Sequence, residues 1–215
     1  MANEYYTMVR HDAIALMERA GSQRVLEIGC GAGNTLKYLR QQGYAGFVAG
    51  VELEPGCHEA AQAACDSFFP GDVEQLQLLE LGSYHAVLLL DVIEHLVHPF
   101  DVVKAAAGLL NPGGYLVLSF PNIRNFAVLK QLVLEGLWDY RDSGILDRGH
   151  LRFFTRKSFL AAMAKACPML ELEALQTKPN RHTMLVRALS RLPWIGDFFC
   201  CQFLVKYRLV AATTP

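Results

Sequence analysis

Asp91, Glu94 and His95 occupy the run LLLDVIEHL, and a further histidine, His150, follows in DRGHLRFFTR. Residues three and four apart on a helical turn project near one another, so Asp91, Glu94 and His95 are expected to form a group. Imidazole titrates where a side chain can take a proton from a reacting hydroxyl, which makes His95 and His150, with Glu94 beside them, the expected catalytic residues. The same four side chains, Asp91, Glu94, His95 and His150, are also of the types that hold a divalent cation. The reading adopted is without metal, because two carboxylates and two histidines need not chelate and such sites usually require all of their ligands.

A second set of residues suits a ligand rather than a proton. The stretch VLEIGCGAGN, residues 25 to 34, is an apolar run that ends in Gly29, Gly31 and Gly33 and then reads as a helix start. Glycines there allow close approach of backbone to a ligand, with N–H groups of the helix N-terminus pointing outward. Asn34 stands where the dinucleotide fingerprint requires glycine or alanine. Glu52 ends the next apolar run, FVAGVEL, 21 residues beyond Gly31, where a carboxylate can accept both hydroxyls of a ribose. Asp72 in GDVE and Asp91 after AVLLL follow at the ends of later apolar runs.

The elements that must position these residues alternate. Strands are expected at 24–28, 47–53, 67–69, 86–90 and 115–119, with helices at 34–42, 57–66 and 99–110 between them. The run AVLLL has no polar face, as in a central parallel strand buried on both sides. Beyond residue 120 come a helix at 125–137, a helix capped by Thr155 to residue 166, and strands at 170–176 and 202–211. The pattern predicts one α/β domain over 1–215: a Rossmann-like, doubly wound, mostly parallel sheet of about seven strands, the last antiparallel, with helices on both faces. Ligands of such a sheet belong above the carboxyl ends of its strands, where the glycine loop, Glu52, Asp72 and Asp91 lie. Residues 4–20 are expected as an amphipathic helix stopped by Gly21, with Tyr5, Tyr6 and Arg10 either leaning over a cofactor or packing at the sheet edge. Residues 121–155 are expected as a lid or substrate wall. Within the apolar insertion at 178–200, residues 183–199 are expected as a docking helix, with contact to a membrane surface or lipid-linked substrate as the alternative.

With 20 basic and 21 acidic residues the chain has no polycationic character, so nucleic acid is not an expected partner. The six cysteines show no zinc spacing, no secretory leader is evident, and no 18-residue apolar stretch is free of charge; a reducing cytoplasm is the expected setting. The adjacent Cys200 and Cys201 read as buried small apolar residues.

Five segments in order, VLEIGCGAG, VAGVELE, GDVE, LLLDVIEHL and LLNPGGYLVLS, cover about residues 24–120 and together resemble the class I S-adenosylmethionine-dependent methyltransferases. The resemblance implies that Glu27, Gly29, Cys30 and Gly31 line the methionine part of S-adenosylmethionine and that Glu52 holds the ribose. It implies further that Leu53 packs on adenine, that Asp72 accepts from the adenine amino group with Val73 beside it, and that Asp91 and Val92 lie beneath the cofactor near its sulfonium. The E-x-x-E-H pattern with a later histidine is similar to the metal site of small-RNA 2′-hydroxyl methyltransferases and occurs in ubiquinone-pathway O-methyltransferases, with Asp91 here replacing the first Glu. GHLRFFTRKSF and FLVKYRLVA resemble a broad bacterial group that includes MetW-type proteins and enzymes of cell-surface glycan pathways. The function so implied is methyl transfer to oxygen on a small molecule or a sugar or lipid intermediate. The alternative is a regulatory or partner protein that binds S-adenosylmethionine without transferring its methyl group. An NAD-dependent oxidoreductase fits neither the glycine spacing nor GDVE and DVIEHL.

Overall fold

The computed structural model describes residues 7–179, 188–190, 192 and 195–210. Seven strands form one sheet: β1 (Arg24–Ile28), β2 (Phe47–Glu52), β3 (Ser67–Pro70), β4 (Tyr84–Leu90), β5 (Leu110–Pro121), β6 (Leu170–Pro179) and β7 (Cys200–Leu209). Their spatial order is β3-β2-β1-β4-β5-β7-β6, and β7 runs antiparallel to both of its neighbours. The mostly parallel, doubly wound architecture and its single reversed last strand are as expected.

Side chains of successive strand residues point to opposite faces, and the two faces build two cores. Leu26, Ile28, Val87 and Leu89 turn to one face, where they meet Val103 and Ala106 of α4 (Pro99–Gly108) and Phe159 and Met163 of α6 (Arg156–Ala166). Val25, Ala86, Leu88 and Leu90 turn to the other, against Ile14 of α1 (His11–Ile14), Leu36 and Leu39 of α2 (Asn34–Gln41), and Ala61 of α3 (His58–Ala64). Burial of each large aliphatic side chain contributes about 1.5 to 3 kcal/mol. The central strands β1 and β4 are therefore the firmest platform in the molecule, and the candidate residues stand at their carboxyl ends. Thr155 caps α6 through a reciprocal pair with Ser158, as the sequence predicts.

Three expectations need correction. Residues 4–20 do not form one helix: α1 covers only His11–Ile14, and Tyr5 and Tyr6 lie outside the described residues. Tertiary hydrogen bonds compete with the helix here: the Arg10 N–H donates to Thr35 Oγ1, and the Glu18 N–H donates to the Tyr115 hydroxyl. β5 begins at Leu110, not Tyr115, because Leu110 pairs with Tyr84 and the Asn111–Gly114 turn is absorbed as a register shift within the strand. The last strand ends at Leu209, and residues 211–215 lie outside the described residues. The docking helix expected within 178–200 falls largely on undescribed residues; a 3-10 turn at Gly196–Phe199 leads into β7.

After β5, residues 121–155 contain α5 (Phe126–Glu135), capped by Asn125, and return beside the sheet through a bridge between Asn122 and Phe154. Buried Asp197 pairs with Arg124 near the start of this excursion and Arg156 just beyond its end. The six cysteines are free thiols, Cys200 buried and Cys201 partly so. No helix among the described residues is long and apolar enough to cross a membrane.

Candidate active site

A cavity of about 580 Å³ opens above the carboxyl ends of β1, β2 and β4. Its floor is the glycine loop. Gly29 adopts φ 74°, and a Cβ there would stand 2.5 Å from Val92 Cγ2, so the loop and the segment after β4 pack without room for a side chain. Gly33, at φ 75°, caps α2 and lies against Ala61 and Ala64 of α3. The N–H groups of Gly29 and Cys30 donate to the Val51 carbonyl, which fixes the loop to β2.

Glu52 ends β2 buried beneath the cavity wall. One of its carboxylate oxygens accepts from the Gly31 N–H at 2.7 Å and the other from the Glu54 N–H at 2.8 Å. Leu53, next along, is 64% exposed and presents an apolar surface to the cavity. Asp72 and Val73 line the same wall, Asp72 accepting from the Glu74 N–H and the Gln75 side chain within its own turn.

Glu27 is buried at the methionine end expected for the loop. Its Oε2 has no hydrogen-bond partner among the described residues, and burial pushes its carboxyl up to about 8. A buried carboxyl oxygen without a partner, at the edge of a cavity, suits a cationic group of a ligand. Cys30 lines the cavity, and its side chain lies beside Cys65 against Gly50.

Asp91 sits one residue past β4 with φ 58°, a left-handed conformation that reverses the chain. Its carboxylate accepts from Arg10 Nη1 at 2.6 Å, from the Ser119 hydroxyl at 2.7 Å and from the Gln202 side chain. Asp91 thus lines the cavity with its carboxylate committed to the N-terminal segment, Ser119 and Gln202. The sequence-based grouping of Asp91 with Glu94, His95 and His150 is corrected accordingly. The described residues gather Glu94, His95 and His150 alone, with one potential ligand atom from each within 4.8 Å of the others.

Glu94 and His95 lie in a 3-10 turn at Ile93–His95. Both Glu94 carboxyl oxygens are buried with no hydrogen-bond partner among the described residues, and burial, with the Asp91 charge adding to it, holds the group well above the usual carboxylate range. Its backbone carbonyl accepts from the N–H groups of Leu151 and Arg152. His95 lines the cavity, its Nδ1 3.0 Å from the Gly149 carbonyl and its ring edge-on to His150 at 4.8 Å between centroids. Nδ1 of His150 stands 3.0 Å from the Ile145 carbonyl. If each Nδ1 carries its proton toward its carbonyl, each Nε2 keeps a free lone pair. Burial, then the neighbouring His150, lower the His95 pKa below its ordinary value, so the neutral, proton-accepting form is favoured.

The described residues also show cavity partners that sequence reasoning missed: Ser119, Gln202, Glu74, Lys178 and Thr35. Ser119 was within reach, because it pairs with Leu90, the last residue of β4. Gln202 and Lys178 come from the β6–β7 hairpin and carry no local signal.

The pattern of a family described as "Methyltransferase domain" matches residues 5–166. The chain belongs to this methyltransferase family. A ubiquinone biosynthesis O-methyltransferase of Xanthomonas campestris pv. campestris is 29% identical over 169 residues, spanning 75% of this chain and 68% of that protein. Among solved structures, an S-adenosylmethionine-dependent methyltransferase from Mesorhizobium loti superposes with a TM-score of 0.64 at 16% identity, covering 92% of this chain and 96% of the other. The N-methyltransferase NodS from Bradyrhizobium japonicum, solved with S-adenosylhomocysteine, gives 0.59 at 14% identity and covers 96% and 86%. The protein is thus a class I methyltransferase, and its cofactor is S-adenosylmethionine. The cavity fits that molecule on its own chemistry: an unpartnered buried carboxyl for an ammonium, a carboxylate at a strand end for a diol, and an exposed leucine for a flat apolar ring.

Proposed function

We propose that this methyltransferase transfers a methyl group to a hydroxyl oxygen of a small molecule or a sugar or lipid intermediate, acting in the cytoplasm. The observation that carries this reading is His95 at the cavity wall, with His150 edge-on beside it and the buried Glu94 within reach of both. The ubiquinone O-methyltransferase name of the relatives supports oxygen as the acceptor atom. The bound cofactor supplies a methyl group on a positively charged sulfur.

The chain's residues then have distinct tasks. Glu27 would take the methionine ammonium, Gly29, Cys30 and Gly31 would line the amino-acid part, and Glu52 would accept the two ribose hydroxyls. Leu53 and Val73 would flank adenine, with Asp72 accepting from its amino group, while Asp91 and Val92 would hold the sulfonium end. Arg10, held on Asp91 and Asp12, roofs this end. His95 Nε2 takes the acceptor hydroxyl proton, with His150 edge-on beside it and a carboxyl oxygen of the buried Glu94 within 4.8 Å of a ring nitrogen of each. Because displacement at carbon demands that oxygen, methyl and sulfur be held in line, placement of the acceptor contributes most of the rate.

Residues 121–155 serve as the acceptor-side cover. They reach His95 through Gly149 and His150, and Phe153 links His150 to Trp138 in a run of edge-on rings. Phe126, Val133, Leu134 and Leu137 stand exposed on the same excursion, which favours an acceptor with an apolar portion.

The test is transfer of isotope-labelled methyl from S-adenosylmethionine to a panel of phenolic, sugar and lipid-linked alcohols. A methyl ether product supports the reading. Tight binding of S-adenosylhomocysteine with no transfer to any acceptor, with or without added divalent metal, supports instead the regulatory alternative.

A further inference from the structure

The segment that carries Glu94 and His95 is held from both sides. On one side its carbonyls face residues 149–152: Glu94 O accepts from Leu151 N at 2.8 Å and Arg152 N at 2.9 Å, and Val97 O accepts from the Arg152 guanidinium. On the other side its N–H groups face one side chain. Glu74 Oε2 accepts from Val97 N at 3.0 Å, and Glu74 Oε1 accepts from His98 N at 2.6 Å.

Glu74 is not on a neighbouring turn of the same element. It belongs to the loop after β3, two residues from Asp72, and the Asp72 carboxylate accepts the Glu74 N–H at 2.9 Å. Asp72, Val73 and Glu74 line one part of the cavity wall, and His95, Leu96 and Val97 line another. Glu74 thus staples two walls of one cavity. His98, the residue before Pro99 at the start of α4, has no side-chain capping bond of its own, so Glu74 supplies the only side-chain acceptor described at that helix entry.

We propose that Glu74 is a positioning residue that couples occupancy of the adenine end of the cavity to the orientation of His95. A ligand that settles between the two walls fixes the 72–74 loop. Through two charge-assisted hydrogen bonds, that loop fixes the backbone of residues 97 and 98 and, two residues upstream, the imidazole. Without the Glu74 carboxylate, Val97 N and His98 N lose their partner and the 94–98 segment keeps only its contacts to 149–152. The cofactor can then bind while the histidine no longer reports it. This inference rests on the cofactor placement proposed above, but not on His95 acting as the base.

The experiment uses the full chain, Glu74→Ala and Glu74→Gln, with S-adenosylhomocysteine as probe. Binding is measured by calorimetry, and the His95 ring resonances, assigned with a His95→Gln control, are followed by NMR at constant pH with and without the probe. The wild-type His95 resonance is expected to move when the probe binds. Glu74→Ala is expected to bind the probe within about threefold of wild type but to lose at least half of that displacement. Glu74→Gln, which keeps one acceptor oxygen in the same shape, is expected to fall between the two and remains readable if the alanine variant does not fold. A wild-type His95 resonance indifferent to the probe overturns the proposal. So does an undiminished displacement in variants that still bind. Failure of the cofactor placement would appear separately, as absence of probe binding by the wild type.

Discussion

Glu52 reaches across the base of the cavity to accept the Gly31 N–H, so the residue that would hold the ribose also pins the glycine loop to β2. Replacing it with alanine removes both functions at once. Glu52→Ala is expected to weaken S-adenosylhomocysteine binding by about 1 to 3 kcal/mol, the range for hydrogen bonds to a charged group. Calorimetry reads this directly, and unchanged affinity would remove Glu52 from the cofactor site. Glu52→Gln, which keeps an acceptor toward the Gly31 N–H, is expected to lose less.

Glu27 gives the site a proton account. Its carboxyl titrates near 8 in the folded protein against an ordinary value of 4.5, so between those values the folded state binds a proton that the unfolded chain has released. Stability from this group is therefore greatest below about 4.5 and falls as pH rises toward 8. The ammonium of the cofactor reverses the preference by stabilising the carboxylate. Binding at pH 7 is expected to release close to one proton, seen as a calorimetric enthalpy that changes with the ionisation enthalpy of the buffer. The release should fade above pH 9, where Glu27 is already ionised, and Glu27→Gln should abolish it. A buffer-independent enthalpy at pH 7 in the wild type would contradict the assignment.

His95→Ala should lower turnover by roughly 10²- to 10⁴-fold, the usual contribution of a positioned base, and leave S-adenosylhomocysteine affinity within about threefold. His150→Ala should cost less, because it touches His95 at its ring edge and does not line the cavity. Steady-state rates with the identified acceptor decide it. A turnover unaffected by loss of His95 would leave proton removal to water.

Dialysis against a strong chelator is expected to leave activity unchanged, and metal analysis of the purified protein is expected to find less than one ion per chain. The basis is that Asp91 is engaged with Arg10, Ser119 and Gln202, which leaves three side chains where a fourth was counted. Stoichiometric metal whose removal stops transfer would reassign Glu94, His95 and His150 as ligands.

The fold was legible where burial leaves a local mark. β1, β2 and β4 are apolar on both faces, so their runs stand out, and the glycines between them mark the turns. Glu52 and Asp72 could be placed from distance along the chain because strand ends set their position. Three features were not legible, for one reason: each depends on a partner far away in sequence. The segment before α1 is drawn out of helix by Thr35 and Asp91, Asp91 is taken up by Arg10, Ser119 and Gln202, and Glu74 finds Val97 and His98 across the cavity. Periodicity reports which face of an element is buried, and it is silent about which carboxylate meets which N–H.

The N-terminal segment that roofs the cavity at Arg10 is tied down at Glu18 by β7. Lys206 and Arg208 on β7 grip Glu18, with Lys206 188 residues beyond it. During synthesis the glycine loop and its strands can collapse as soon as β5 leaves the ribosome, but the roof gains this anchor only once β7 has threaded between β5 and β6. A nascent chain stalled before β7 would keep the Arg10 contacts to Asp91 and Thr35 and the Glu18 N–H bond to Tyr115, but the Glu18 carboxylate would lack both of its cationic partners.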